Sequence, residues 1–178
     1  MSETREAPFP LNDVAQICII VPDVQEAVEN FWRVFGVGPW HLYTYGKPLV
    51  RHMTRRGEPA DYKMRVALSH VGSMRVELIE PLEGDTVYHE FVEKHGYGIH
   101  HVGVLTDDMA ASLKAAAEAG LAMTQDGAGF GPDGDGHYAY LDTEGLIGTT
   151  IELIERPKRR QPPESVYPPE EQASGPAA

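Results

Sequence analysis

Gln16-Ile-Cys-Ile-Ile-Val-Pro-Asp23 and His101-Val-Gly-Val-Leu-Thr-Asp-Asp108 decide the fold, because they align without a gap. Each is an apolar, β-branched run that ends in an aspartate able to cap a helix. A second pair follows. Met74-Arg-Val-Glu77-Leu-Ile-Glu80 matches Thr149-Thr-Ile-Glu152-Leu-Ile-Glu155. The offset is 85 residues for the first pair and 75 for the second, so the later copy is about ten residues shorter between its anchors. Such an internal repeat means two units of one supersecondary pattern, neither able to close a core alone.

Within each unit the pattern is strand, helix, strands. Asp23 with Glu26 three residues on makes a capping box. Val24, Ala27, Val28, Phe31 and Phe35 then fall on one helical face, and Gly36 ends the helix. Gly38-Pro39 is a turn, and 40–45, 49–54, 63–70 and 74–80 read as strands. A short connecting helix is expected over 85–95. The second copy places a helix over 109–119, with strands near 121–125, 137–142 and 148–154. The chain therefore divides into an arm (1–12), a first βαβββ module (13–84), a connector (85–98), a second βαβββ module (99–156) and a tail (157–178). The fold is α+β, with the two tandem modules paired about a pseudo-twofold axis. The tail holds six of the fourteen prolines, a composition expected to be disordered or extended.

Composition narrows the function. The 178 residues carry 15 Lys and Arg against 27 Asp and Glu, a formal charge of −12, which argues against nucleic acid as a partner. The longest aliphatic run, Ile17–Val21, is too short to span a bilayer, and the first residues lack a secretory pattern. A cytoplasmic protein without a membrane partner is expected. The single cysteine, Cys18, has no internal disulfide partner and is read as a buried, inert thiol. Residues 47–65 hold six cations against Glu58 and Asp61, a basic island that is either an ordinary solvated hairpin or a guide for an anionic small molecule. The glycine run 127–136 carries Asp133 and Asp135, so it repels phosphate and reads as a mobile loop, a possible lid.

The repeat places Gln16 and His101 at equivalent points of the first strands, and Glu77 and Glu152 at equivalent points of the last. A lone strand glutamate is ordinarily solvent-facing. Here two recur in register, each beside a further polar group. Gln, Glu, His and Glu offer three oxygens and one nitrogen, a set suited to a divalent cation whose charge two carboxylates cancel. His100 is assigned to packing or hydrogen bonding in the core rather than to the metal, because neighbouring strand residues point to opposite faces.

Gly98-Ile-His-His-Val-Gly-Val104, Val76-Glu-Leu-Ile-Glu-Pro81 and Tyr140-Leu-Asp-Thr-Glu-Gly145 resemble the vicinal oxygen chelate superfamily over about 13–156. That superfamily includes glyoxalase I, methylmalonyl-CoA epimerase, extradiol dioxygenases and bleomycin-type resistance proteins. The first two motifs look most like methylmalonyl-CoA epimerase. The resemblance implies a curved, half-open mixed sheet with Gln16, Glu77, His101 and Glu152 as ligands of a divalent metal ion (Co, Ni, Mn or Zn). It also implies a homodimer. Gln16 stands where epimerases usually have His, and the Gln-Glu-His-Glu set is similar to the eukaryotic type of glyoxalase I. The two-His, one-carboxylate triad of a dioxygenase is incomplete.

The reaction implied is epimerisation or isomerisation. A carbonyl on the metal acidifies the neighbouring C–H, and Glu152 and Glu77 exchange the proton from opposite sides through an enolate. The substrate is a small carbonyl compound, with acyl-CoA compounds in view, and Arg65 and Tyr140 are the expected substrate contacts. The alternatives are a glyoxalase-type lyase on another conjugate and a metal-free small-molecule binding protein.

Overall fold

The computed structural model describes residue 7, residues 9–11 and residues 13–169. β1 (Val14–Ile20) leads into α1 (Val24–Phe35), followed by β2 (Trp40–Tyr45), β3 (His52–Arg55), β4 (Glu58–Pro59), β5 (Lys63–Val71) and β6 (Met74–Glu83). α2 (Val87–His95) connects to β7 (Gly98–Leu105), α3 (Met109–Glu118), β8 (Met123–Ala128), β9 (His137–Leu141), α4 (Glu144–Ile147), β10 (Thr150–Glu155) and β11 (Ser165–Tyr167). All eleven strands form one open mixed sheet in the order β11-β2-β5-β6-β1-β7-β10-β9-β8-β3-β4.

The repeat is visible in the register. β1 runs parallel to β6 with Gln16 opposite Arg75, and β7 runs parallel to β10 with His101 opposite Thr150. β1 and β7 pair antiparallel along the seam between the halves. The local chemistry repeats too. Asp23 accepts from the Glu26 N–H and Asp108 from the Ala111 N–H, both at 2.9 Å. Glu80 and Glu155, from the last strand of each copy, accept from the first N–H of α1 and α3 at 3.0 and 2.7 Å. Negative charge at a helix start satisfies unpaired donors and complements the helix dipole. Each helix then buries its apolar face on the outer side of the sheet. Val24 and Val28 meet Trp40, Ala67 and Leu78, while Met109 and Ala116 meet Leu141, Ile151 and Leu153.

The inner face is concave. Tyr45 on β2 and Tyr138 on β9 stand six strand spacings apart in the sheet order, about 29 Å if the sheet were flat. Their ring centroids are 6.4 Å apart, so the sheet bends round to face itself.

Three expectations need correction. The strand expected over 49–54 does not stay in its own half. The β3–β4 hairpin crosses the molecule and pairs with β8, Thr54 opposite Asp126, which accounts for the longer first copy. The tail is ordered as far as it is described. β11 adds to the edge of β2, where proline is tolerated because the outer N–H groups need no partner, and Glu164 binds the Thr44 N–H and hydroxyl. Residues 170–178 lie outside the described residues. The glycine loop is pinned through Asp135, which accepts from the Lys158 N–H, and Asp133, which accepts from Arg159. Among the described residues, no helix is long and apolar enough to cross a membrane.

Candidate metal centre

Parity along four central strands builds the centre. Gln16, Cys18 and Ile20 of β1 point to the concave side, as do Arg75, Glu77 and Ile79 of β6. His101 follows on β7 and Glu152 on β10. His101 Nε2 lies 3.2 Å from Glu77 Oε2 and 3.1 Å from Glu152 Oε2. The Gln16 amide nitrogen donates to both carboxylates at 2.9 Å and stands 3.4 Å from His101 Nε2. All four residues singled out by the repeat converge on one point.

Carboxylates drawn into a buried pocket need compensating positive charge beside them. Burial raises the Glu152 carboxyl above its ordinary range, against the pull of His101. Burial also works against charging the His101 ring, but Cys18 and Glu152 outweigh it and hold its pKa well above the usual imidazole value. A proton on His101 thus offsets part of that negative charge. Adjacent positions on an octahedral ion with bonds of about 2.1 Å lie about 3.0 Å apart, close to the spacing His101 Nε2 keeps to each carboxylate oxygen. Cys18 stands between Glu77 and His101 in the register, and the three ligand atoms lie within 4.8 Å of one another. Burial pushes its thiol up to about 12, against the pull of His101, and a metal bound there would deprotonate it.

His100 corrects the alternation argument. Cys18 pairs with His101 and Ile19 with Ile99, so His100 is an unpaired bulge residue in β7. A bulge breaks the alternation and re-aims a side chain. His100 Nδ1 meets His101 Nδ1 at 2.9 Å, among the rings of Tyr88, Phe91 and Tyr140. Burial, with His101 beside it, pushes the His100 pKa down to about 2, so the ring is neutral. It accepts from Nδ1–H of His101 and fixes the ring so that Nε2, which carries a proton toward the carboxylates here, is the nitrogen a metal would take once that proton is lost.

Gln16 reaches the centre with its nitrogen, whereas a ligand needs its oxygen. Arg75 Nε donates to Gln16 Oε1, and a turned amide would set its NH₂ against that guanidinium. Arg75 is two residues before Glu77, and period-two alternation alone placed it on this face. The sequence argument passed over it.

Tyr140 lines the cavity, opposite Glu152 in the register, with its hydroxyl 2.8 Å from that of Tyr88. Burial holds its phenol well above the ordinary pKa, so it remains a neutral donor. Arg65 does not line the cavity. It shares the parity of Ala67 and faces the side covered by α1, opposite Glu80 in the register, while Met64 and Val66 turn inward. The basic island around it is largely neutralised. Lys47 pairs with Asp61, Arg55 and Arg56 with Glu90, and Lys63 with Glu83. The cavity encloses about 70 Å³ and is otherwise aromatic and aliphatic, with Tyr43, Tyr45, Phe130 and Tyr138 among its walls.

Residues 15–140 match the family model of the Glyoxalase/Bleomycin resistance protein/Dioxygenase superfamily, and the chain belongs to that superfamily. It is 33% identical over 145 residues to the uncharacterized protein YqjC of Bacillus subtilis (strain 168), spanning 82% of this chain and 93% of that one. Among solved structures, methylmalonyl-CoA epimerase from Mycobacterium tuberculosis superposes with a TM-score of 0.58 at 20% identity, over 87% of this chain and 95% of the epimerase. A hypothetical protein from Bacillus halodurans C-125 gives 0.58 at 19% identity, over 84% and 97%. These structural likenesses confirm the fold.

Proposed function

We propose that the protein is a metal-dependent epimerase or isomerase that moves a proton on the carbon next to a substrate carbonyl. The carrying observation is that Glu77 and Glu152, one from each half, both reach His101 Nε2 inside a closed-in cavity. Glu77, His101 and Glu152 would hold a divalent ion such as Co²⁺, Ni²⁺, Mn²⁺ or Zn²⁺. That ion would polarise the carbonyl and acidify the adjacent C–H.

The side chains do the rest. Glu77 and Glu152 approach the carbon from the two halves, so one removes the proton and the other returns it on the opposite face. Glu77 is the less buried of the two and has more room to swing off the ion. Gln16 holds the carboxylates apart from Arg75, and His100 keeps the His101 ring in place. Tyr140 donates its neutral hydroxyl toward substrate oxygen. The aromatic wall excludes water, which strengthens each of these interactions.

The substrate class is a small carbonyl compound, an acyl-CoA among them. One structural neighbour is a methylmalonyl-CoA epimerase in complex with methylmalonyl-CoA, which supports that reading. A homodimer belongs to the same proposal, and exposed Phe35 and Leu146 supply apolar surface for it.

The test is metal content of protein purified without chelator, with His101→Ala and Glu152→Gln beside the parent. Near one divalent ion per chain, lost in His101→Ala, is expected, followed by α-proton exchange of acyl-CoA compounds in deuterated water. A protein that refuses Co²⁺, Ni²⁺, Mn²⁺ and Zn²⁺ would overturn the reading. So would a Glu152→Gln protein with full exchange.

A further inference from the structure

We propose that Arg75, Arg156 and Arg160 form an anion-binding subsite at the mouth of the cavity, built to take a carboxylate carried by the substrate within a few bonds of the reacting carbonyl. This deepens the proposed function and rests on it for the position of the carbonyl.

All three arginines line the same cavity as Glu77 and Glu152. Arg75 is buried on its floor, while Arg156 and Arg160 stand exposed on the rim. Arg55 and Arg56 are engaged with Glu90 and Arg159 with Asp133, while Arg33, Arg51 and Arg65 have no ion-pair partner among the described residues but lie outside the cavity. No carboxylate among the described residues comes within ion-pair distance of Arg75, Arg156 or Arg160. Three like charges brought to one opening oppose each other. Burial first, and then Arg75 and Arg160, press the Arg156 guanidinium below its ordinary value. In a chain of net charge −12, such a cluster is a cost to the free protein that an anion relieves.

The segment that presents the rim arginines is anchored on both sides. Lys158 N–H and Arg159 bind Asp135 and Asp133 of the glycine loop, and β11 then ties the chain to β2. With Arg159 occupied, Arg156 and Arg160 are the ones turned to the opening. Charge balance points the same way. A divalent ion held there would cancel Glu77 and Glu152 and leave the three guanidinium groups as the charge that a substrate meets.

Distance selects the kind of anion. Arg75 binds the Gln16 amide, whose other end touches both carboxylates, so a single side-chain amide separates the guanidinium from the centre. That reach suits a carboxylate on the reacting fragment and is too short for phosphates at the far end of a coenzyme. Guanidinium groups suit planar carboxylates through paired N–H donors.

The experiment is calorimetric titration of malonate, and separately of inorganic phosphate, into the full chain loaded with Co²⁺. The parent, Arg75→Gln and the double variant R156Q/R160Q are compared, and the titrations are repeated on chelated protein. Malonate is expected to bind the parent more tightly than phosphate and to weaken roughly tenfold in each variant, with bound Co²⁺ unchanged in R156Q/R160Q. The double variant alters exposed side chains, so it remains informative if Arg75→Gln fails to fold. Malonate binding that ignores the double variant would overturn the subsite while leaving the metal centre intact. Tighter binding of phosphate than of malonate would overturn the carboxylate assignment. If the protein takes no metal yet loses malonate in the variants, the subsite holds and the metal reading fails.

Discussion

In the first half Gln16 faces Arg75 across β1 and β6, and in the second His101 faces Thr150 across β7 and β10, although both strand pairs run parallel in the same register. Cys18 of β1 corresponds in the same way to Gly103 of β7. Glu77 and Glu152, the two N-caps and the two glutamates at the helix starts are common to both halves. What is duplicated is the frame and the pair of carboxylates. What differs is the partner each half supplies to them: an imidazole from one side, an amide backed by a guanidinium from the other. The lesson is that the symmetric parts bring the acids together, and the asymmetric parts set what each half places beside them.

The largest effect should come from deleting the unlike partners in turn. His101→Ala is expected to abolish stoichiometric Co²⁺ binding. Gln16→Ala, which removes an orienting group, should weaken binding by roughly 10–100-fold, read by calorimetry. Equal losses would make Gln16 a ligand through its oxygen and bring the two halves closer in role.

A middle-sized effect should separate Gly103 from Cys18. A Cβ at Gly103 would come within 2.7 Å of Ile154 Cδ1, 2.8 Å of Gln16 Cβ and 3.2 Å of Glu152 Oε2. Gly103→Ala is expected to cost about 1–3 kcal/mol in urea unfolding and to loosen metal binding, because the displaced neighbours belong to the centre. Cys18→Ser, at the equivalent position, should leave Co²⁺ stoichiometry in place. The smallest effect tests sameness. Asp23→Ala and Asp108→Ala should each lower stability by about 1 kcal/mol, and by similar amounts. A large inequality would show that the frame is less symmetric than its register.

The repeat, its caps and the four converging residues were legible because each rests on short-range pattern: alternation, a capping aspartate, a recurring motif. Arg75 was legible by the same alternation as Glu77 and was passed over. His100 was not, since a bulge depends on how β1 and β7 meet and leaves no mark on β7 alone. The β3–β4 crossing and the docking of residues 156–167 depend on partners far along the chain, so the proline-rich composition of the tail left disordered and extended both open, and β11 takes the extended form. Arg65 shows the converse. It lies on an inward-lining strand, but one residue out of phase with Met64 and Val66.

The β3–β4 hairpin also bears on how the chain can be made and divided. Arg55 pairs with Gln125, about 70 residues further on, so during synthesis the hairpin has no edge to join until β8 has left the ribosome. A fragment ending at the connector would carry that hairpin unpaired, and a fragment beginning there would display a bare β8 edge, a template for aggregation. Mixed together, the two fragments supply each other's missing strand. Two copies of one unit have in this way become a mutually dependent pair that recombination cannot swap one at a time.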